Sequence, residues 1–253
     1  MKFTFLGTGT SQGVPVITCN CAVCTSTDFR DNRMRTSLLV QSEKTTVVID
    51  TGPDFRSQML REKVQDLDAV VFTHGHKDHV AGLDDIRPFN YMKGKTIAVY
   101  AEVQVQEILK REFAYAFQQH DYPGAPQIQL HTISEIPFTI GDIHIIPIRL
   151  MHKDLPVLGF RINDFTYITD ANFISEQELE KIKGSKILVL NALRKEKHFS
   201  HFNLEEAIAI VKKVNPESAY FTHISHHLGK YTDIEQELPN NIHLAYDGLS
   251  LEV

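Results

Sequence analysis

Thr73-His74-Gly75-His76-Lys77-Asp78-His79 follows the apolar run Ala69-Val70-Val71-Phe72, and this junction decides the fold. The run is short and apolar, bounded by charge on one side and by histidines on the other, which predicts a buried strand feeding a loop. Three histidines and an aspartate then fall within six residues. Imidazole and carboxylate together suit Zn²⁺, Mn²⁺ or Fe²⁺. His74 and His76 stand two apart, so in an extended segment both can face one ion. Asp78 and His79, adjacent at a turn, can be directed to a second ion alongside. A solvated polar loop is the plain alternative, and this spacing directly after a buried strand argues against it.

Upstream of this junction, Lys2 to Leu6 reads as a strand ending in the loop Gly7-Thr8-Gly9-Thr10-Ser11. Leu38 to Val40 and Thr46 to Ile49 read as paired strands about the polar turn Gln41 to Lys44. Downstream, Ile97 to Tyr100 is a strand and Val103 to Phe117 carries helical periodicity. His144 to Ile148, Phe160 to Ile162 and Phe165 to Ile168 form a second set of strands. The last third alternates helix and strand. Ser175 with Glu178 gives a capping-box pattern for a helix ending near Gly184. Ile187 to Leu190 is a buried strand, Asn203 with Glu206 opens a helix through Val211 to Val214, and Pro216 stops it. Ala219 to Phe221 is the next strand. No linker or internal repeat interrupts the chain. The expectation is one α+β domain over residues 1–253, two sheets with helices outside.

The pattern His-x-His-x-Asp-His resembles the signature of the metallo-β-lactamase superfamily. That resemblance implies an αββα four-layer sandwich, two mixed sheets packed face to face with helices outside. It also implies further ligands at strand ends: His152 after Ile148 to Met151, Asp170 after Tyr167 to Thr169, and His223 after Tyr220 to Thr222. Carried over residue by residue, His74, His76 and His152 would hold one divalent metal, zinc or manganese. Asp78, His79 and His223 would hold the other, with Asp170 and a water or hydroxide bridging them. Asp50, in Val48-Ile49-Asp50-Thr51-Gly52, matches an aspartate that orients a ligand loop. Two such ions about 3.5–4 Å apart lower the pKa of a shared water toward about 7. They also neutralise charge on the oxygens it attacks.

The three cysteines all lie in Cys19-Asn20-Cys21-Ala22-Val23-Cys24. An odd, tightly spaced set does not form a disulfide framework; it points to a structural zinc, which takes four ligands. A histidine should complete the site, and His223-Ile224-Ser225-His226-His227 offers His226 if His223 serves the other metals. The arrangement is similar to the cysteine-cluster subset of the superfamily, the phosphoribosyl cyclic phosphate phosphodiesterases of the carbon–phosphorus lyase pathway. Members share the opening Gly-Thr-Gly loop, the Gly13-Val14-Pro15 segment, the Cys-x-Cys-x-x-Cys cluster, the Thr-His-Ile-Ser-His segment and Asp247-Gly248.

Such enzymes must protonate a leaving oxygen. The resemblance marks His201, in His198-Phe199-Ser200-His201-Phe202-Asn203, as the general acid, with His198 as its rival, and pairs it with Asp78 as catalytic residues. Arg194, Lys195 and Lys197 nearby either attract an anionic substrate or form a solvated face.

The chain has 253 residues with 26 basic and 32 acidic side chains, a net charge of −6. That balance favours a small phosphodiester substrate over a long nucleic acid, whose binding needs several Lys or Arg contacts along a groove. No run approaches the roughly 20 apolar residues of a membrane span, and the start is too short for a signal sequence, so a cytoplasmic protein is expected. A homodimer is left open. The expected activity is a metal-dependent phosphodiesterase for small or cyclic esters. A transfer-RNA 3′-processing nuclease and a non-catalytic accessory protein of the same fold are the alternatives.

Overall fold

The computed structural model describes residues 1–118 and 124–253. The first sheet begins with β1 (Lys2–Gly7), β2 (Ser37–Gln41), β3 (Thr46–Ile49), β4 (Ala69–Val71), β5 (Ile97–Ala101) and β6 (Ile128–Thr132). The second holds β7 (Phe138–Ile140), β8 (Ile143–His152), β9 (Leu155–Ile162), β10 (Phe165–Tyr167), β11 (Phe173–Ile174), β12 (Ile187–Asn191), β13 (Ser218–Thr222) and β14 (Ile242–Leu244). The last strand, β15 (Ser250–Glu252), returns to the first sheet antiparallel to β1. The first sheet is ordered β15-β1-β2-β3-β4-β5-β6 and the second β11-β8-β9-β10-β12-β13-β14, with β7 also beside β8. Each is mixed: antiparallel hairpins at one side, parallel pairs at the other.

Both faces of each sheet are covered, which explains why the strands read as continuous apolar runs rather than alternating ones. In β2 and β3, Leu38, Val40, Val47 and Ile49 point into a core shared with Phe160, Phe165 and Tyr167 of the second sheet. Their neighbours Leu39 and Val48 point outward, to a core with α1 (Phe55–Arg61), α2 (Lys77–Val80), α3 (Arg87–Lys93) and α4 (Val103–Glu112). After α5 (Ala114–Phe117), α6 (Glu176–Ile182), α7 (Leu204–Val214) and α8 (Tyr231–Glu237) cover the far face of the second sheet. The result is four layers, αββα, as the resemblance implied.

Some expectations need correction. The single helix over Val103 to Phe117 is two, because Phe113 leaves helical geometry (φ −118°) and buries its ring in the outer core. The strands at His144 to Ile148 and Phe160 to Ile162 are parts of one long hairpin, β8 to β9. Pro147, Arg149 and Pro156 interrupt its apolar pattern. Arg149 is tolerated because its guanidinium donates to Glu102 at 2.9 Å and to Glu135 at 3.1 Å. The Ser175 cap is only half a box: Ser175 Oγ accepts from the Glu178 amide, but the Glu178 carboxylate accepts from the Arg149 amide instead. At Asn203 and Glu206 both halves of the box form.

Candidate metal centres

β3, β10 and β13 each lead into a site residue with a left-handed backbone: Asp50 (φ 63°), Asp170 (φ 52°) and His223 (φ 55°). Non-glycine residues seldom adopt this region, and where they do the strain commonly marks a functional site. The sharp reversal gathers their side chains where the two sheets meet, with Leu158 N donating across to Thr73 O at 3.0 Å.

From β4 the chain enters the histidine stretch. His76 is extended and begins the single turn of α2, which carries Asp78 and His79. Asp50 organises this loop. Its carboxylate accepts from Thr73 N at 2.9 Å and Thr73 Oγ1 at 2.8 Å, and Oδ2 lies 2.7 Å from His79 Nδ1. His79 Nδ1 therefore carries a proton toward Asp50, and Nε2 is the atom that faces Asp170 and Asp78, where a bound metal would take the place of its proton. Gly52 is required here, since a Cβ at this position would lie 2.2 Å from the Asp78 carbonyl oxygen.

The donor atoms of His74, His76 and His152 lie within 4.8 Å of one another, and so do those of Asp78, His79 and His223. Asp170 stands between the two groups. Its Oδ1 is 3.0 Å from His223 Nε2 and 3.1 Å from His201 Nε2, and its Oδ2 is 3.1 Å from His79 Nε2. His152 Nδ1 donates to the Ser200 carbonyl at 2.8 Å, which again leaves Nε2 as the free donor atom. Every residue singled out at this centre from the sequence comes together.

Burial disfavours charge on all these groups, and opposite charges overcome it at Asp170, His79 and His223 but not at His74. Against burial, the cations of His223 and His79 hold Asp170 well below the usual carboxylate range. Against burial, Asp170, Asp50 and Asp78 lift His79 well above the usual imidazole value, and Asp170 and Asp78 lift His223 to about 9. His74 stays with burial, reinforced by His79, and is pushed well below. Even so, His79 Nε2 and both ring nitrogens of His223 are buried without a hydrogen-bond partner. Orphaned imidazole nitrogens beside shared carboxylates are a donor set that divalent cations satisfy, so the residues fit the two metals of the superfamily.

His201 is 9% exposed, and burial pushes it down to about 4 despite its contact with Asp170. His198 lies further out, its ring centroid 5.0 Å from that of His201. Of the cations nearby, Lys195 pairs with Glu237 at 2.6 Å, and Arg194 donates to the Lys197 carbonyl at 3.0 Å. Lys195 thus belongs to the solvated face.

The cysteine cluster is a separate centre. Cys19, Cys21 and Cys24 place their sulfurs 3.3, 3.4 and 3.4 Å from one atom, His226 Nδ1. One N–H cannot serve three acceptors. A tetrahedral zinc, with Zn–S of about 2.3 Å and Zn–N of about 2.0–2.1 Å, sets sulfur and nitrogen about 3.5 Å apart. The amide of Cys24 donates to the Cys21 sulfur at 3.4 Å and does most to draw that thiol down to about 6. These residues fit a structural zinc.

Sequence reasoning missed the supports: Thr73, the Ser200 carbonyl, and Thr169, whose hydroxyl donates to Asp170 Oδ2 at 2.8 Å. Thr73 and Thr169 each directly precede a site residue, which is the one signal the sequence offered.

A family model for the beta-lactamase superfamily domain matches residues 45–224. An octanoyltransferase of Porphyromonas gingivalis is 40% identical over 98% of this chain, and the chain spans about half, 51%, of that relative. A solved diphosphatase of the PhnP family superposes with a TM-score of 0.93 at 39% identity, covering 100% of this chain and 97% of that one. Zn²⁺-bound PqqB from Methylobacterium extorquens superposes with a TM-score of 0.82 at 19% identity, covering all of both chains, which speaks for the fold alone.

Proposed function

The chain belongs to the β-lactamase superfamily, as a hydrolase of the metallo-β-lactamase fold, and we propose that it cleaves small phosphodiesters, cyclic ones included. One observation carries the reading: two groups of donors, most of them buried, meet at Asp170, and His201 stands beside that shared carboxylate. In this reading His74, His76 and His152 hold one divalent ion, Asp78, His79 and His223 the other, and Asp170 both. Two ions so placed acidify a water and offset the charge of phosphate oxygens.

The chain's own residues do the rest. Asp50 and the Ser200 carbonyl fix the tautomers of His79 and His152. Asp78 acts as ligand and electrostatic partner of His223. His201 gives a proton from Nε2 to the leaving oxygen. Burial keeps it weakly basic, and the negative charge of a bound phosphate favours the protonated form when substrate is present. Arg194 and Lys197 remain as outer attractions for an anion. The thiolates and His226 hold the structural zinc.

The diphosphatase relative supports attack at phosphorus. The octanoyltransferase name belongs to a chain about twice as long, of which only half is matched here. The experiment is a panel on purified, metal-replete protein with Zn²⁺ or Mn²⁺: bis(p-nitrophenyl) phosphate, a cyclic nucleotide, a dinucleoside diphosphate, a cephalosporin and an octanoyl thioester. kcat/KM should be highest on a phosphate ester or anhydride. A higher value on the cephalosporin or the thioester overturns the assignment.

A further inference from the structure

Phe199 is 70% exposed, yet it sits two residues from His201 and directly before the buried Ser200 and His201. Its ring centroid is 4.5 Å from that of His198, which is 5.0 Å from His201, which is 4.6 Å from His152. A row of rings thus leads from the surface to the metal centre. Lys153 directly follows His152, and its ammonium lies 5.8 Å from the Phe199 centroid, within the range of a cation–π contact.

These two side chains are presented by a built lip. Asn172, two residues beyond Asp170, grips both backbones: its Oδ1 accepts from Lys153 N at 2.7 Å and its Nδ2 donates to Phe199 O at 3.2 Å. Its own amide donates to Met151 O at 2.9 Å. Lys153 takes a left-handed backbone (φ 57°) to make this contact. A single exposed aromatic on a protein surface needs no explanation. An exposed aromatic and an exposed ammonium, fixed by one amide side chain within two residues of three metal-centre residues, form an organised subsite.

We infer that this lip selects the organic part of the substrate: Phe199 stacks the planar heteroaromatic ring of a nucleoside phosphate, while Lys153 swings from the ring to the sugar–phosphate. The inference deepens the phosphodiesterase reading and rests on it for the phosphate end. Every base has a π-face, so the platform takes nucleosides without reading which base is present, and stacking of one base on an aromatic side chain changes affinity by about tenfold or more. His198 backs the ring on one side, and the exposed face is the one offered to ligand.

Binding, rather than turnover, tests this. Titration calorimetry on the metal-replete protein compares adenosine 5′-monophosphate with ribose 5-phosphate, for wild type, Phe199→Ala and Phe199→Trp, with thermal melts confirming that both variants fold. Wild type and Phe199→Trp should prefer the nucleotide by about tenfold. Phe199→Ala should bind both alike, with its affinity for ribose 5-phosphate unchanged. Equal affinities in wild type, a preference that survives Phe199→Ala, or no binding of either ligand overturns the inference. A nucleotide preference without phosphodiester hydrolysis sinks only the activity; hydrolysis without the preference sinks only the platform.

Discussion

Asp50→Asn tests whether the buried aspartate sets the chemistry of His79 or merely fills space. Asn has nearly the same shape and tolerates the left-handed backbone at this position. Its orientation is dictated: Oδ1 must stay opposite the Thr73 amide, since a side-chain NH₂ there would face another donor. The new NH₂ then takes the place of Oδ2 and points at His79 Nδ1 and the Thr73 hydroxyl, which can accept. His79 becomes an acceptor at Nδ1, and its proton moves to Nε2. That is the atom 3.1 Å from Asp170 Oδ2 and 3.3 Å from Asp78 Oδ2, where a metal needs a lone pair.

Loss of such an orienting partner typically lowers metal affinity by about 10–100-fold, which corresponds to roughly 1.4–2.7 kcal/mol. The penalty should fall on one of the two active-site ions, the one shared by Asp78, His79 and His223. The site of His74, His76 and His152 should be spared. Asp50→Ala is the contrast. It removes the partner of three buried groups at about 1–3 kcal/mol each and adds backbone strain, so the protein should approach unfolding. The assay is metal titration of stripped protein against a chromophoric chelator, with melting curves alongside. If Asp50→Asn binds its metals within about twofold of wild type while losing as much stability as Asp50→Ala, the tautomer argument is wrong.

Two further outcomes follow from the same geometry. Cys21→Ser should release one zinc and lower the melting temperature while the hydrolytic metals stay, because a structural zinc contributes folding energy directly; full zinc content at unchanged stability would remove the thiolate centre. His201→Ala should slow an alkyl phosphodiester by about 10²–10⁴-fold and a p-nitrophenyl ester much less, since only the poor leaving group needs the proton. Equal losses on both, or a larger loss for His198→Ala, would move the role elsewhere.

What the sequence made legible depended on the range of the interaction. His74, His76, Asp78 and His79 lie within six residues, so their spacing alone encodes a shared site. The thiolates are equally local. His152, Asp170 and His223 have no local signal beyond a strand end, and they were found through resemblance to a family. Asn172 was missed altogether, because its significance lies in two backbone atoms brought to it from 19 and 27 residues away. Strands failed for a related reason. β7, β11, β14 and β15 are two or three residues long and carry no period of their own. They exist because a neighbouring strand offers them a ladder. Helix α1 was hidden likewise: Phe55 and Met59 are its only apolar contributions to the outer core, and Gln58 is buried because it donates to the Arg35 carbonyl.

The two candidate metal centres are mechanically linked, and the reason lies in how the segment after β13 is held. Thr222 ends the strand in register with Asn191. His223 reverses the backbone and enters the histidine–aspartate cluster, and three residues later His226 meets the thiolates. Between them Ile224 is buried and bracketed from both sides, donating to Thr8 O at 2.9 Å and accepting from Thr10 N at 3.1 Å. Ser225 is fixed to Leu193 O through its amide at 3.0 Å and its hydroxyl at 2.8 Å. A shift of His226 therefore has to break contacts that also set His223. The partner segment, between Gly7 and Ser37, holds no strand, only isolated bridges and the short turn Phe29–Asp31. It lacks the ladder that stiffens the rest of the sheet edge. A zinc clamped between Cys19, Cys21, Cys24 and His226 would add stiffness to this irregular segment, whose cross-segment backbone hydrogen bonds are isolated ones such as Gly9 to Met34 and Val14 to Arg33. On this view the thiolates take no part in hydrolysis. They brace the segment that carries His223 from behind, adding to the hydrogen bonds that Ile224 and Ser225 already make.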